Sequence, residues 1–367
     1  MDRDRLPYFE QCREGRLCDE YPVLTMYTMR AAAAAAADSS TFFFVTALFL
    51  AACGLATVWL VHATVGGRAR ALMFAAAPSL AAYAFISWDL LAVALASAAA
   101  LALIRERPGL AGALLALGIS AKLYPIILLA PFVVELHRRG RLRHVIPLGV
   151  WTVGAFALIN VPFAVAAPDG WSTFFRFSAE RSADYNSLWH VACRFGQEGG
   201  VLCPWEPGAI NLVSTTIVVA GAVATLAHWG TRTPRRSGLH LVLPLLVIFL
   251  LANKVFSPQY SLWLLPWFAY TLRDLRLFAF FSLADLGVYV TGFLWFGRLA
   301  SQTGQPGFEG FTGFPSEAYH VALIVRAVAL ALILMWWFRN HGRSPSDDDQ
   351  PNGPSRSVHT ASADVST

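Results

Sequence analysis

Apolar residues fall along this chain in long unbroken runs separated by short polar interruptions. The first run, about residues 40 to 63, is long enough to cross a hydrocarbon core of ~30 Å, and Arg68 and Arg70 follow it. The next four, near 71 to 87, 89 to 104, 108 to 121 and 123 to 137, are short against the ~20 residues of a simple span. They are punctuated by Trp88-Asp89, Arg105 to Pro108 and Lys122 to Pro125. The pattern predicts tilted, broken or re-entrant helices here, because backbone groups freed by a break are tolerated only where they are buried or line a polar cavity. Six further segments lie at about 145 to 166, 208 to 229, 238 to 252, 259 to 271, 276 to 297 and 319 to 338. The predicted fold is all-α, a polytopic membrane protein of about eleven segments.

Composition agrees. With 56% hydrophobic and 14% charged residues, the chain is far more apolar than a soluble domain, for which roughly 45 to 50% and 25% are usual. The net charge of +5 is not a nucleic-acid signal, since the arginines cluster between apolar runs as in cytoplasmic loops. Alternating sides from the cluster RRGRLRH (138 to 144) places TRTPRRS, RDLR, RNHGR, Arg68/Arg70 and Arg105/Arg107 on that same inner side. Residues 1 to 39 then form an outer N-terminal loop, with a surface helix over about 22 to 37. No apolar h-region follows its basic start, so no signal peptide is expected. Residues 40 to 338 form the membrane domain, with a large outer loop at 167 to 207, and 339 to 367 form a cytoplasmic tail with the composition of disorder. Two cysteine pairs, Cys12/Cys18 and Cys193/Cys203, face the oxidising side and are expected to be disulfides. No His or Cys grouping has metal spacing, so no metal or cofactor is expected.

With sides assigned, polar residues at the edges of apolar runs converge on the outer face. Lys122 and Lys254 are the chain's two lysines, each followed closely by proline in KLYP and KVFSP. A lysine at such an edge is a compact point charge suited to phosphate; the alternative is a side chain snorkelling to the headgroups. Asp89 lies at a second outer turn and Tyr124 beside Lys122, while Gln259 and Tyr260 follow Lys254. Asp89 is also placed to cap the helix after it. The outer loop supplies Glu180, Arg181 and Asp184, which also fit a solvated loop helix with local ion pairs, and Trp189, which also fits an interfacial belt. Glu20 and Tyr21 come from the N-terminal segment. Asp285 and Arg326 sit inside spans, where ionisable groups are costly and need partners or water; the sequence assigns them none.

The run NKVFSPQYSLWLLP, in order with EYPVLT, FISWDLLAVAL, AKLYPIILLAPF and WSTFFRFSAERSADYNSLWHV, resembles glycosyltransferase family 87 of the GT-C superfamily and is similar to its actinobacterial polyprenol-phosphate-mannose-dependent mannosyltransferases. The resemblance covers about residues 18 to 338. It implies a GT-C-like bundle and an inverting hexosyltransferase, mannose favoured, at the outer face of the plasma membrane. The partners implied are a polyprenyl-phosphate sugar, a glycolipid or glycan acceptor and membrane lipids. Lys122, Lys254 and Arg181 would meet the phosphate, Gln259 and Tyr260 phosphate or sugar hydroxyls, and a carboxylate of the first outer loop would act as base. Family members begin with a further span ahead of that loop, whereas this chain is expected to open in it. Asp4 is therefore the first candidate base, with Asp2, Asp19 and Glu20 behind it. A lipid or solute transporter, or a relative that has lost catalysis, are the competing readings; transporters need polar groups reachable from both sides, and here they gather on one.

Overall fold

A computed structural model describes residues 5–10, 18–194, 203–232 and 237–340. The expectations for Asp2, Asp4, Cys12 and the tail fall outside these residues. The described chain is helical: α1 Val23–Ala34, α2 Ser39–Val65, α3 Arg68–Ala75, α4 Pro78–Tyr83, α5 Asp89–Ile104, α6 Pro108–Ala121, α7 Leu129–Arg138, α8 Val145–Ala166, α9 Pro168–Glu180, α10 Leu188–Arg194, α11 Pro207–Arg232, α12 Val242–Ala252, α13 Ser261–Thr271, α14 Leu275–Gln302 and α15 Ser316–Asn340. Four of these are led by 3₁₀ turns, Tyr124–Leu128 before α7, Leu142–His144 before α8, Gly238–Leu241 before α12 and Pro258–Tyr260 before α13.

Among the described residues, α2, α8, α11, α14 and α15 are long and apolar enough to cross a membrane, while α5, α6 and α12 are shorter apolar helices. Packing explains the two lengths. The long helices expose large apolar side chains such as Leu48, Leu55, Leu158, Val165, Leu212 and Leu283, as a lipid-facing perimeter requires, whereas most of α5, α12 and α13 is buried. At 1.5 Å per residue α5 is only about 24 Å long. A helix shielded by neighbours can end short, because the irregular backbone that follows meets protein rather than lipid. Close approach is built from small residues: a Cβ on Gly112 of α6 would lie 2.3 Å from the Leu148 carbonyl of α8, so the two helices pack backbone to backbone.

The segment expected at 71 to 87 is two pieces, α3 and α4, interrupted before Pro78, where the proline ring and missing N–H stop the preceding helix. Helix α1 does lie where a surface helix was expected. It is docked on protein, with Val23, Thr25 and Met26 buried and Thr25 Oγ1 donating to the Ala121 carbonyl at the end of α6 at 2.7 Å.

Contacts sort the loops to two ends. Arg70 donates to the Tyr270 carbonyl, Arg139 to the Ile104 carbonyl, and Arg141 pairs with Glu106, so the turn after α5 and the turn after α7 meet at one end. There Glu135 binds Ser237 Oγ at 2.8 Å and the Gly238 N–H at 2.6 Å. The opposite end carries α9, α10, the Cys193–Cys203 disulfide and both lysines. Cys18 is also disulfide-bonded, and Cys53 is a free thiol in α2.

Candidate active site

Both lysines sit at the same kind of break. Helix α6 ends at Ala121, Lys122 is extended (φ −157°, ψ 140°), and a 3₁₀ turn containing Pro125 follows. Helix α12 ends at Ala252, Asn253 is extended (φ −71°, ψ 142°), and Pro258 opens the next 3₁₀ turn. Pro258 holds Ser257 extended (φ −53°, ψ 140°), whereas Pro125 sits inside its 3₁₀ turn, and each break brings polar backbone into the bundle beside a lysine.

Their surroundings differ. Lys122 Nζ lies 3.2 Å from Asp89 Oδ1 and 3.3 Å from Oδ2, and the Asp89 side chain is completely buried. Trp263 Nε1 donates to Asp89 Oδ1 at 2.6 Å, and the Trp263 ring is stacked between Tyr124 at 4.2 Å and Tyr260 at 3.9 Å. The ammonium is 5.0 Å from the ring centres of both Tyr21 and Tyr260, within range for cation–π attraction. Asp89 does not cap α5: it is the first helical residue, Trp88 is the N-cap, and no side-chain capping bond forms. The carboxylate turns to the ammonium instead, the stronger partner for a buried anion.

Lys254 is 4% exposed, and its Nζ donates to the carbonyls of Ala179 at 2.9 Å and Arg181 at 2.7 Å. It therefore binds the C-terminal end of α9, where unsatisfied carbonyls and the helix dipole favour a cation. Two of its three donors are used by protein, one remains, and it does not snorkel. Burial, and after it the Arg181 guanidinium, hold this ammonium below the usual lysine range. Its carbonyl accepts the Asp184 N–H at 2.8 Å, which ties the loop between α9 and α10 to the α12–α13 connection. Arg181 itself keeps 30% of its side chain exposed, 3.9 Å from Asp184.

Asp285 and Arg326, unassigned by sequence, pair at 3.4 Å in the buried interior. Asp285 also accepts from Ser79 Oγ at 2.6 Å and Ser261 Oγ at 2.7 Å. The guanidinium continues to the carbonyls of Asn186 at 3.3 Å and Phe256 at 3.5 Å, and lies 3.8 Å above the Phe256 ring. The Asn186 amide in turn accepts from Tyr319 and donates to Asp184 at 3.0 Å, while Ser257 reaches Asp184 at 3.3 Å. One polar chain thus runs from α4, α13, α14 and α15 into the loop that carries Arg181 and the connection that carries Lys254.

The other sequence candidates scatter. Glu180 is exposed at the end of α9, and Gln259 is half-buried beside Tyr260. Trp189 uses its indole N–H on the Ala252 carbonyl at 2.7 Å, pinning α10 to α12, so its role in the fold is structural. Asp19 is buried and its two oxygens accept from Arg5, whereas Glu20 is half-buried with no ion pair among the described residues. Two clefts flank this end. One, of about 460 Å³, lies between the N-terminal segment and α9 and includes Glu10, Asp19, Asp169 and Arg176; the other, of about 430 Å³, is apolar and lined by Trp189, Trp205, Ile217, Ile248, Leu251 and Leu334.

A sequence profile of glycosyltransferase family 87 matches residues 21–258, which is most of the chain and includes both lysine breaks, Asp89 and the outer loop. The chain belongs to glycosyltransferase family 87 and is a membrane glycosyltransferase. No curated protein matches it. Asp285 and Arg326 lie beyond the matched residues.

Proposed function

We propose that the protein moves a hexose, mannose being favoured, from a polyprenyl-phosphate donor to a glycolipid or glycan acceptor, with inversion, at the outer face of the plasma membrane. The observation that carries this reading is the gathering of three cations at one end of the bundle: Lys122 lies 5.0 Å from the Tyr260 ring, and Lys254 is bonded to the carbonyl of Arg181, whose guanidinium is partly exposed. Fixed positive charge is what a departing phosphate requires. The apolar cleft beside Trp189 and Ala252 suits the isoprenoid chain, and the polar cleft beside Asp19 suits an acceptor. A carboxylate takes the acceptor hydroxyl proton, the acceptor oxygen bonds to the anomeric carbon, and the carbon–oxygen bond to phosphate breaks with its electron pair leaving on the phosphate. Asp4 is the proposed base. Glu20 stands next, having no partner among the described residues, because a carboxylate clamped by a guanidinium, as Asp19 is by Arg5, is a poor proton acceptor.

The reading also takes the chain to cross the membrane eleven times, with α3 and α4 together forming one crossing and the arginine-rich end cytoplasmic. Single cysteines in the 167–207 loop are expected to react with an impermeant maleimide in intact cells, and those at 138–144 only after permeabilisation. Labelling of the 138–144 loop from outside would overturn the orientation.

The functional test is transfer from polyprenyl-phosphate mannose by purified protein in lipid, compared with Lys254→Met and Lys254→Arg. Methionine keeps the apolar stem but removes the cation from both α9 and the phosphate. A loss on the order of 100- to 1000-fold in turnover is expected, with part retained by arginine, whose donor geometry differs. Parent-level transfer by a well-folded Lys254→Met protein would remove Lys254 from the donor site, and absence of transfer from any polyprenyl-phosphate hexose by the parent would reject the donor class.

A further inference from the structure

Between α14 and α15 the sequence repeats a Gly-Phe-X triplet three times, GFE-GFT-GFP, over residues 307–315. Each glycine has positive φ, 87°, 72° and 43° for Gly307, Gly310 and Gly313, a region glycine enters without the strain a Cβ brings. The chain turns at Gly307 and Gly310, where the Phe308 N–H reaches the Gln305 carbonyl at 3.3 Å and the Phe311 N–H the Phe308 carbonyl at 3.1 Å, and continues irregularly through Gly313. Phe308, Phe311 and Phe314 follow the glycines, 40%, 39% and 42% exposed.

This loop does not project beyond the helices. It folds back along α14: a Cβ on Gly313 would lie 2.0 Å from the Leu294 carbonyl, and a Cβ on Gly297 would lie 2.6 Å from the Phe311 ring. Leu294 is about 29 Å along α14 from Leu275 at 1.5 Å per residue. That is close to the ~30 Å thickness of a hydrocarbon core, so the phenylalanines are held at the hydrocarbon edge, while the last turns of α14 overshoot it. The one charged side chain of the repeat, Glu309, stays exposed to water, both carboxylate oxygens accepting from the Gly307 N–H at 3.1 Å. On the exposed side of α14 just below, Val290 and Phe293 continue the apolar surface.

We propose that residues 304–314 form an interfacial anchor whose three phenylalanines insert at the headgroup–acyl boundary of the leaflet on the candidate-site side. Phenylalanine is among the side chains that interfacial segments bury at the headgroup–acyl boundary, and the glycine-rich fold keeps all three there without a helix. The anchor has a mechanical consequence. By folding back, it starts α15 level with Leu294, and Asp285, nine residues below Leu294, then meets Arg326, ten residues beyond Ser316. Lipid contact at the loop fixes the height at which that pair holds the outer loop. The inference rests on the spanning helices and not on the choice of sugar or donor.

The test uses the full chain in vesicles of phosphatidylcholine and phosphatidylglycerol, with Cys53→Ala as background and a spin label attached at Phe314→Cys, Phe311→Cys or Glu309→Cys. The unsubstituted Cys53→Ala protein supplies the labelling blank. Because Phe311 packs on Gly297 and its loss could loosen the loop, Phe314→Cys carries the same test independently. Labels at 311 and 314 are expected to collide with oxygen more often than with a water-soluble nickel chelate, and the label at 309 to show the reverse. Equal nickel accessibility at all three positions would place the loop in water and overturn the proposal. So would dipolar broadening between labels of two molecules, which would mark the face as a contact between copies.

Discussion

Arg326→Met is expected to reduce both stability and transfer, and the loss should separate into two parts when Asp285 is replaced as well. Removing one partner of a buried ion pair leaves the other charge desolvated and costs about 3–5 kcal/mol; here Asp285 would retain only Ser79 and Ser261 as donors to its carboxylate. Asp285→Asn/Arg326→Met removes both charges and so leaves no buried charge stranded, the term that makes removal of one partner costly. The double variant should therefore recover most of the thermal midpoint lost by Arg326→Met. Transfer should not recover, because Arg326 also holds the carbonyls of Asn186 and Phe256, the two segments that carry Arg181 and Lys254. Arg326 is thus a positioning residue. The checks are thermal unfolding in detergent and the kcat of hexose transfer on the same samples. Recovery of both in the double variant would reduce the pair to a stability element.

Much of this architecture was legible in the sequence, for reasons that also mark where reading stopped. The breaks at Lys122 and Asn253 were visible because proline and lysine interrupt apolar runs, and those are local signals. That both lysines, Asp89 and Arg181 belong to one end of the bundle was an expectation that came from counting arginines. What a lysine binds is a question of approach in space. The sequence offered phosphate or headgroups to Lys254, and the fold gave it the end of α9, more than 70 residues away. Asp89 satisfied a capping rule by type and position, yet its carboxylate went to Lys122 because a cation was within reach. The Asp285–Arg326 pair was hidden by register. Counted from the ends of α14 and α15 the two residues lie at different depths, and only the folding back of 303–315 brings them level. An acid and a base in consecutive spans were a signal for pairing, but the phenylalanine loop that sets their heights reads as a linker.

The remaining expectation concerns Lys122, whose ammonium faces a fully buried carboxylate on one side and the rings of Tyr21 and Tyr260 on the other. Two roles predict different outcomes. If the lysine only neutralises Asp89, then Lys122→Met should fail because it strands the carboxylate, Asp89→Asn should be mild because asparagine can still accept from Trp263, and the double variant should be nearly normal. If the lysine also meets the donor phosphate, the charge is needed when the phosphate departs, and no change at Asp89 can substitute for it. We expect the second pattern. Lys122 stands beside Tyr260, which also feels Arg181, and cations sharing one leaving group act on the transition state more than on the bound donor. The double variant should therefore fold, with its thermal midpoint recovered relative to Lys122→Met, while its kcat stays lower than the parent's by about 100-fold or more. Asp89→Asn alone should keep more activity than either lysine variant, since its ammonium is released from one partner but not lost. A double variant that transferred hexose at the parent rate would assign Lys122 to the fold alone and leave Arg181 and the last free donor of Lys254 as the cations for phosphate.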